Sequence, residues 1–137
     1  MPVTIKDIRK AARQIKGQVV RTPSVPSAAL SEMTGAEVVL KLENLQHTSS
    51  FKPRGALVKL LSLSAAEMKA GVVAASAGNH AQGVAWHARN LGIPATVFMP
   101  ENTPFTKVGR TQSLGAKVEL AGSDLSEAKT HANNFAY

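Results

Sequence analysis

The sequence predicts an α/β fold built on a doubly wound parallel sheet. Three observations predict it. From residue 72 onward, short apolar runs alternate with helical patterns as β-α-β-α-β-α. Each helical pattern has its own start and stop residues. The first apolar run, Val72-Val73-Ala74-Ala75, has the character of a strand buried on both faces, as parallel strands are.

The elements in order begin with Thr4-Ile5-Lys6-Asp7, which reads as a capped helix start with an acidic residue three positions on. Ile5, Ile8, Ala12 and Ile15 recur at helical spacing, and Gly17 follows the last turn. Arg21-Thr22-Pro23-Ser24-Val25-Pro26 is extended, because each proline pushes its predecessor out of the helical region. Ser27 to Met33 is a short helix closed by Thr34-Gly35, and Glu37 to Glu43 is a strand. A loop through Lys52 leads to a helix from Ala56 to Leu63, with Ala56, Leu57, Leu60, Leu61 and Leu63 as its apolar face. Ser64-Ala65-Ala66-Glu67 is a capping box for a second short helix, which Gly71 ends.

After the strand at 72–75, Ser76 to His80 is a tight turn, and Ala81 to Leu91 a helix with Val84, Ala85, Ala88 and Leu91 inward. Ala95 to Met99 is the next strand. Asn102-Thr103-Pro104 opens a helix that ends at Gly115, with the proline just inside its start. Lys117 to Leu120 is the third strand. Ser123-Asp124 caps a last helix with Leu125, Ala128 and Ala132 inward. The chain stops at Asn133-Asn134-Phe135-Ala136-Tyr137 with no closing element, so it reads as cut short.

Composition narrows the function. The 137 residues suffice for one modest domain with a core. There is no cysteine, hence no disulfide, thiolate metal site or thiol nucleophile. No apolar run approaches the ~20 residues of a membrane span, and the N-terminus lacks the pattern of a signal peptide. The expectation is a soluble cytoplasmic protein without membrane contact. The net charge of +7 is spread along the chain with few aromatic residues, which argues for anionic small molecules and against nucleic acid. The four histidines show no ligand spacing, so no metal site is expected; His87 reads as a helix-face residue.

Two stretches carry chemistry. In Thr48-Ser49-Ser50-Phe51-Lys52-Pro53-Arg54-Gly55-Ala56, a lysine stands between an aromatic ring and a proline at a strand–loop–helix junction. A nucleophilic amine has to be aimed and partly desolvated, and such neighbours do both. The bland alternative is a surface lysine in a polar turn. Arg54 reads as a structural arginine paired with a carboxylate, in preference to a second cation placed to tune the amine. Ser76-Ala77-Gly78-Asn79-His80 lies at the carboxyl end of a parallel strand and leads into a helix N-terminus, where ligands and anions bind. It is neither GxxxxGK nor GxGxxG, and a single carboxylate suits it better than a pyrophosphate. The alternative there is an ordinary strand-to-helix turn.

The Lys52 stretch, with Leu40-Lys41-Leu42-Glu43 before it, closely resembles the pyridoxal-phosphate attachment segment of the serine/threonine dehydratases, enzymes of the tryptophan-synthase-β-like fold (fold type II). Ser76 to Gly83 resembles that family's substrate loop. Arg21-Thr22-Pro23, Leu91-Gly92-Ile93-Pro94-Ala95 and Met99-Pro100 match in order and spacing; proline at position 53 is a small departure. The resemblance spans about Ile5 to Ala132 and, among dehydratases, is greatest to threonine ammonia-lyases. It implies that residues 1–50 belong to the N-terminal part of a large domain and 51–137 to a small αβ domain. It implies that Lys52 binds pyridoxal phosphate covalently and removes the substrate Cα proton. Phe51 would pack near the cofactor, and Asn79 would hydrogen-bond its ring hydroxyl oxygen. Ser76, Ala77, Gly78, Asn79 and His80 would hold the amino-acid carboxylate. The reaction implied is conversion of L-threonine or L-serine to a 2-oxo acid and ammonia, by a homo-oligomer at full length. Serine racemase, a hydroxyaspartate-type dehydratase and a non-catalytic fragment serving as a binding or assembly module are the alternatives. Ala77, where racemases usually carry serine, favours elimination. The family's phosphate cup and the partner of its pyridine nitrogen lie beyond this sequence.

Overall fold

The computed structural model describes residues 2–136. Helix α1 (Ile5–Gln14) starts in the expected capping box, with Thr4 and Asp7 each bonding the other's backbone N–H. Strands β1 (Ser24–Pro26) and β2 (Val39–Lys41) pair antiparallel around helix α2 (Ala28–Thr34), which Ser27 caps and Gly35 closes at φ 69°. The predicted strand from Glu37 to Glu43 is therefore shorter. Glu43 already belongs to a single 3₁₀ turn, Glu43–Leu45.

The larger departure comes next. Helix α3 runs Lys52–Leu60, four residues earlier at its start than Ala56, so Lys52 is the first helical residue and not part of a loop. Pro53 explains the shift. Its fixed φ suits the first turn, where its missing N–H would have had no intrahelical partner. Ala56, Leu57 and Leu60 are buried as expected. Helix α4 (Ala65–Ala70) follows from the Ser64–Glu67 capping box and ends at Gly71.

The sheet is β3 (Val72–Ala75), β4 (Ala95–Met99) and β5 (Lys117–Leu120), all parallel, in the order β3-β4-β5. Helices α5 (Asn79–Asn90), α6 (Phe105–Ser113) and α7 (Leu125–Ala136) alternate with the strands. The central strand β4 sorts the two faces by its alternation. Ala95, Val97 and Met99 join Leu60, Ala81, Ala85, Ala88 and Val108 in the main core, which gathers α3, α5 and α6 on one side. Phe98 points the other way and packs against Ala128 and Ala132 of α7. Helices on both faces make the sheet doubly wound.

Three further expectations differ. β3 is half-buried along its length; among the described residues it pairs with β4 alone and stands at the sheet's edge. Pro104 lies just outside α6 as its N-cap residue. Leu125 is half-exposed, leaving Ala128 and Ala132 as the inward face of α7.

Candidate functional site

Lys52 is positioned from two sides. On one, α5 lies across the start of α3. Gly83 is where they meet: a Cβ there would stand 3.1 Å from Pro53 N and 3.2 Å from the Lys52 carbonyl carbon. On the other, Arg54 makes a bidentate pair with Glu43, both bonds 2.8 Å. Arg54 Nη2 also donates to the Val20 carbonyl at 3.1 Å. The Thr22 hydroxyl donates to Glu43 Oε1. Gln46, buried at 4% exposure, exchanges two hydrogen bonds with the Val20 backbone, 2.9 and 3.0 Å. The bonds from Arg54 above all, with that from Thr22, hold Glu43 down at about 2 against the upward pull of burial. Arg54 is thus the structural arginine the sequence suggested. Its partner, and the Thr22 and Gln46 contacts, are fixed by residues up to 34 positions apart and carried no local signal.

Between these supports, Ser49 adopts φ 54°, a left-handed conformation uncommon for a residue with a side chain. It turns the chain sharply just before Lys52.

Lys52 and Phe51 are both exposed, Phe51 at 61%, so the partial desolvation expected of the amine is not seen here, and the amine is left accessible. Two ion pairs occur among the described residues, and neither involves Lys52. Its Nζ stands 5.0 Å from the centre of the Phe51 ring. Phe51, Lys52, His80 and Val84 line a cavity of about 400 Å³ against the β3 edge. That volume lies in the range of small-ligand sites. A larger cavity of about 870 Å³ opens between α1 and α3, floored by Ile8, Ala12, Ile15 and Val58. Size would favour that one, but it holds no nucleophile or general base that the sequence singles out; the smaller one contains Lys52 and His80.

Ser76 to Gly78 follow β3 as a turn, but α5 begins at Asn79, two residues earlier than the expected Ala81, so Asn79 and His80 are helical. Ser76 Oγ accepts from Gly78 N–H at 3.3 Å, and Gly78 precedes α5 in an extended conformation, with open space where a Cβ would be. No side chain caps α5, and its first N–H groups lie too early in the helix to find intrahelical partners, which suits an anion. Asn79 and His80 form the first turn and are exposed. Partial desolvation of its ring, then the nearby Lys52 charge, lowers His80 from the ordinary histidine value and favours its neutral form. The structure therefore brings Lys52, Phe51 and His80 to one cavity, with Ser76, Ala77 and Gly78 on the turn before α5 and Asn79 as its first residue.

His87 differs from its reading as a helix-face residue. It is 2% exposed, with Nε2 unpartnered, because α5 is covered by the sheet on one side and by α3 on the other. Burial, and then His47, pushes it down to about 4. His47 stacks on Trp86 at 5.1 Å. Groups of three or more potential metal ligands do not occur among the described residues.

A family model described as "Pyridoxal-phosphate dependent enzyme" matches residues 15–137. The L-threonine ammonia-lyase of Thermotoga maritima is 54% identical over 126 residues, taking in 92% of this chain and 31% of that protein. The chain therefore spans about a third of that relative's length. Maize serine racemase superposes with a TM-score of 0.89 at 31% identity, over 98% of this chain and 41% of the other. The processed form of threonine deaminase isoform 2 from Solanum lycopersicum gives 0.84 at 34% identity, over 98% and 40%.

Proposed function

The chain belongs to the pyridoxal-phosphate-dependent enzyme family, and from that premise we propose that it furnishes the lysine-bearing part of an ammonia-lyase. That enzyme would convert L-threonine, and L-serine more slowly, to 2-oxobutanoate or pyruvate with release of ammonia. The single observation behind this reading is a Lys52 amine that makes no ion pair among the described residues, in a cavity that also contains Phe51 and His80.

The residues fit the cofactor. A free amine suits its aldehyde, Phe51 gives an apolar flank, and the uncapped α5 terminus with open space at Gly78 suits an anionic group beside it. Lys52 would hold the cofactor, with Asn79 donating to its ring oxygen. When bound, pyridoxal phosphate supplies a sink for the electron pair left when the substrate Cα–H bond breaks. The protein's part is aim and proton handling. The backbone N–H groups of Ser76 to His80, Ala77 and Gly78 included, and the side chains of Ser76, Asn79 and His80 would orient the substrate carboxylate. A neutral His80 can donate a hydrogen bond without competing with Lys52 as a cation. The Lys52 amine would accept the Cα proton.

Likeness to maize serine racemase supports racemisation as a second reading. Ala77 weighs against it, since alanine has no proton to deliver to Cα. In this proposal residues 1–50 go with a large domain and residues 51–137 form the small one. The enzyme is a cytoplasmic homo-oligomer; no helix among the described residues is long and apolar enough to cross a membrane.

Borohydride reduction of the protein with cofactor, then peptide mapping, tests the assignment. The label is expected on Lys52, with 2-oxo acid released from L-threonine before reduction. Label on another lysine would remove the basis of the proposal.

A further inference from the structure

We infer that the Glu43–Arg54 pair is a positioning device for Lys52, acting on the rate of proton removal and not only on stability. The inference rests on the assignment of Lys52 proposed above. Its own basis is how α3 begins. Lys52 is the first helical residue, and the N-cap residue Phe51 makes no side-chain capping bond. A helix start without a cap frays readily. Here the first turn is instead tied down through Arg54, two residues beyond Lys52.

Arg54 reaches two separate pieces of chain. Glu43, in the 3₁₀ turn after β2, takes both guanidinium bonds, and the Val20 carbonyl takes a third. Glu43 is itself held by Thr22, which is 2% exposed. Lys41 Nζ donates to the Thr22 carbonyl. Gln46 locks Val20 from the other side. The segment 20–22, the turn 43–46 and the first turn of α3 thus form one hydrogen-bonded unit. Gly83, having no side chain, lets α5 approach the backbone of Lys52 and Pro53 closely. Close packing on α5 and the guanidinium fork together restrain the helix start.

The planar fork is the operative feature. A lysine at position 54 would keep the charge but could not make both bonds to Glu43 and the bond to Val20. Misplacing a reacting group by about 1 Å costs ~10²-fold in rate. Glu43 ionises far below neutral pH, so the device stays engaged at every pH at which an amine base could work.

The experiment uses the full-length holoenzyme and its cofactor-free form with Arg54→Lys, Glu43→Gln and the milder Thr22→Val, which removes one bond to Glu43 and leaves the ion pair. Three readouts are taken: kcat and KM for L-threonine, the deuterium isotope effect at the substrate Cα, and amide hydrogen exchange in the peptide spanning residues 49–56. Arg54→Lys is expected to lower kcat ~10- to 100-fold with KM changed less than about threefold, to raise the isotope effect, and to speed exchange at 49–56 in the cofactor-free protein. Thr22→Val is expected to move all three in the same direction by a smaller factor, so the inference is tested even where the ion-pair variants fail to fold. If the wild type labels at Lys52 and turns over but the variants keep kcat, isotope effect and exchange while losing only thermal stability, the pair is a structural tie and the inference is overturned. If the wild type neither labels at Lys52 nor releases 2-oxo acid, the assignment of Lys52 falls first. Exchange at 49–56 that speeds up in the cofactor-free variants would still uphold the mechanical half.

Discussion

Replacing Gly83 with alanine tests how closely α5 rests on the lysine. Taken alone, alanine in mid-helix is favoured over glycine by about 1 kcal/mol. Against this, the new Cβ would lie 3.1 Å from Pro53 N, 3.2 Å from the Lys52 carbonyl carbon and 3.4 Å from Lys52 Cβ. The two nearest atoms are backbone, so relief requires one helix to move by a few tenths of an ångström. Overpacking of this kind costs ~1–3 kcal/mol. The net expectation is a loss of about 0–2 kcal/mol. Gly109 is the control. It too sits inside a helix, but no atom comes within 4 Å of its Cβ position, so Gly109→Ala should show the propensity gain of about 1 kcal/mol undiminished. Urea unfolding midpoints of both variants, measured beside 2-oxo acid release, make the comparison. Turnover should fall about tenfold for Gly83→Ala, a fraction of the ~10² expected for a full ångström, and stay unchanged for Gly109→Ala. If Gly83→Ala stabilises as much as Gly109→Ala and leaves turnover intact, the close approach is not what holds Lys52.

Lys52→Ala should abolish both 2-oxo acid release and formation of D-amino acid, read by chiral chromatography of the remaining substrate. Ala77→Ser should raise the racemised fraction, because a hydroxyl then stands where no proton donor was; the unmutated enzyme should make D-serine only in traces, a missing acid–base group costing ~10²–10⁴-fold. His87 gives a pH dependence of stability. It stays neutral in the fold down to about pH 4, whereas in the unfolded chain it takes up a proton below about 6.5. The unfolded state therefore binds more protons in that window, and stability falls as pH drops from about 6.5 to 4, by up to about 3 kcal/mol. His87→Gln should flatten the urea midpoint across this range, and an equally steep profile in the variant would clear His87 of the effect.

The alternation from Val72 to Ala132 was legible because it is local. Each strand is short and apolar, and its turns carry glycines, of which Gly92 and Gly115 do adopt positive φ. The start of α3 was misplaced because Pro53 also marks breaks, whereas here it stands in the first turn, where its missing N–H costs no hydrogen bond. His87 was misplaced for a different reason. Periodicity finds one apolar face, but α5 is covered on two sides, so Gln82 and His87 are buried as well. The lysine and the Ser76–His80 loop were visible as motifs. The ties that hold them, Glu43 to Arg54 and Gln46 to Val20, join residues 11 and 26 positions apart and exist only once the chain has folded.

The place of β3 in the sheet has a consequence for handling the protein. Its residues Val72-Val73-Ala74-Ala75 carry no charge, proline or bulge to deter another strand from pairing, and one of its two edges has no partner among the described residues. Val72, Val73 and Ala74 also form a wall of the Lys52 cavity. A strand zipping onto that edge, from a second molecule at high concentration or after partial unfolding, would lie against the mouth of the lysine pocket. Self-association along β3 is therefore expected to lower the reactivity of the Lys52 amine.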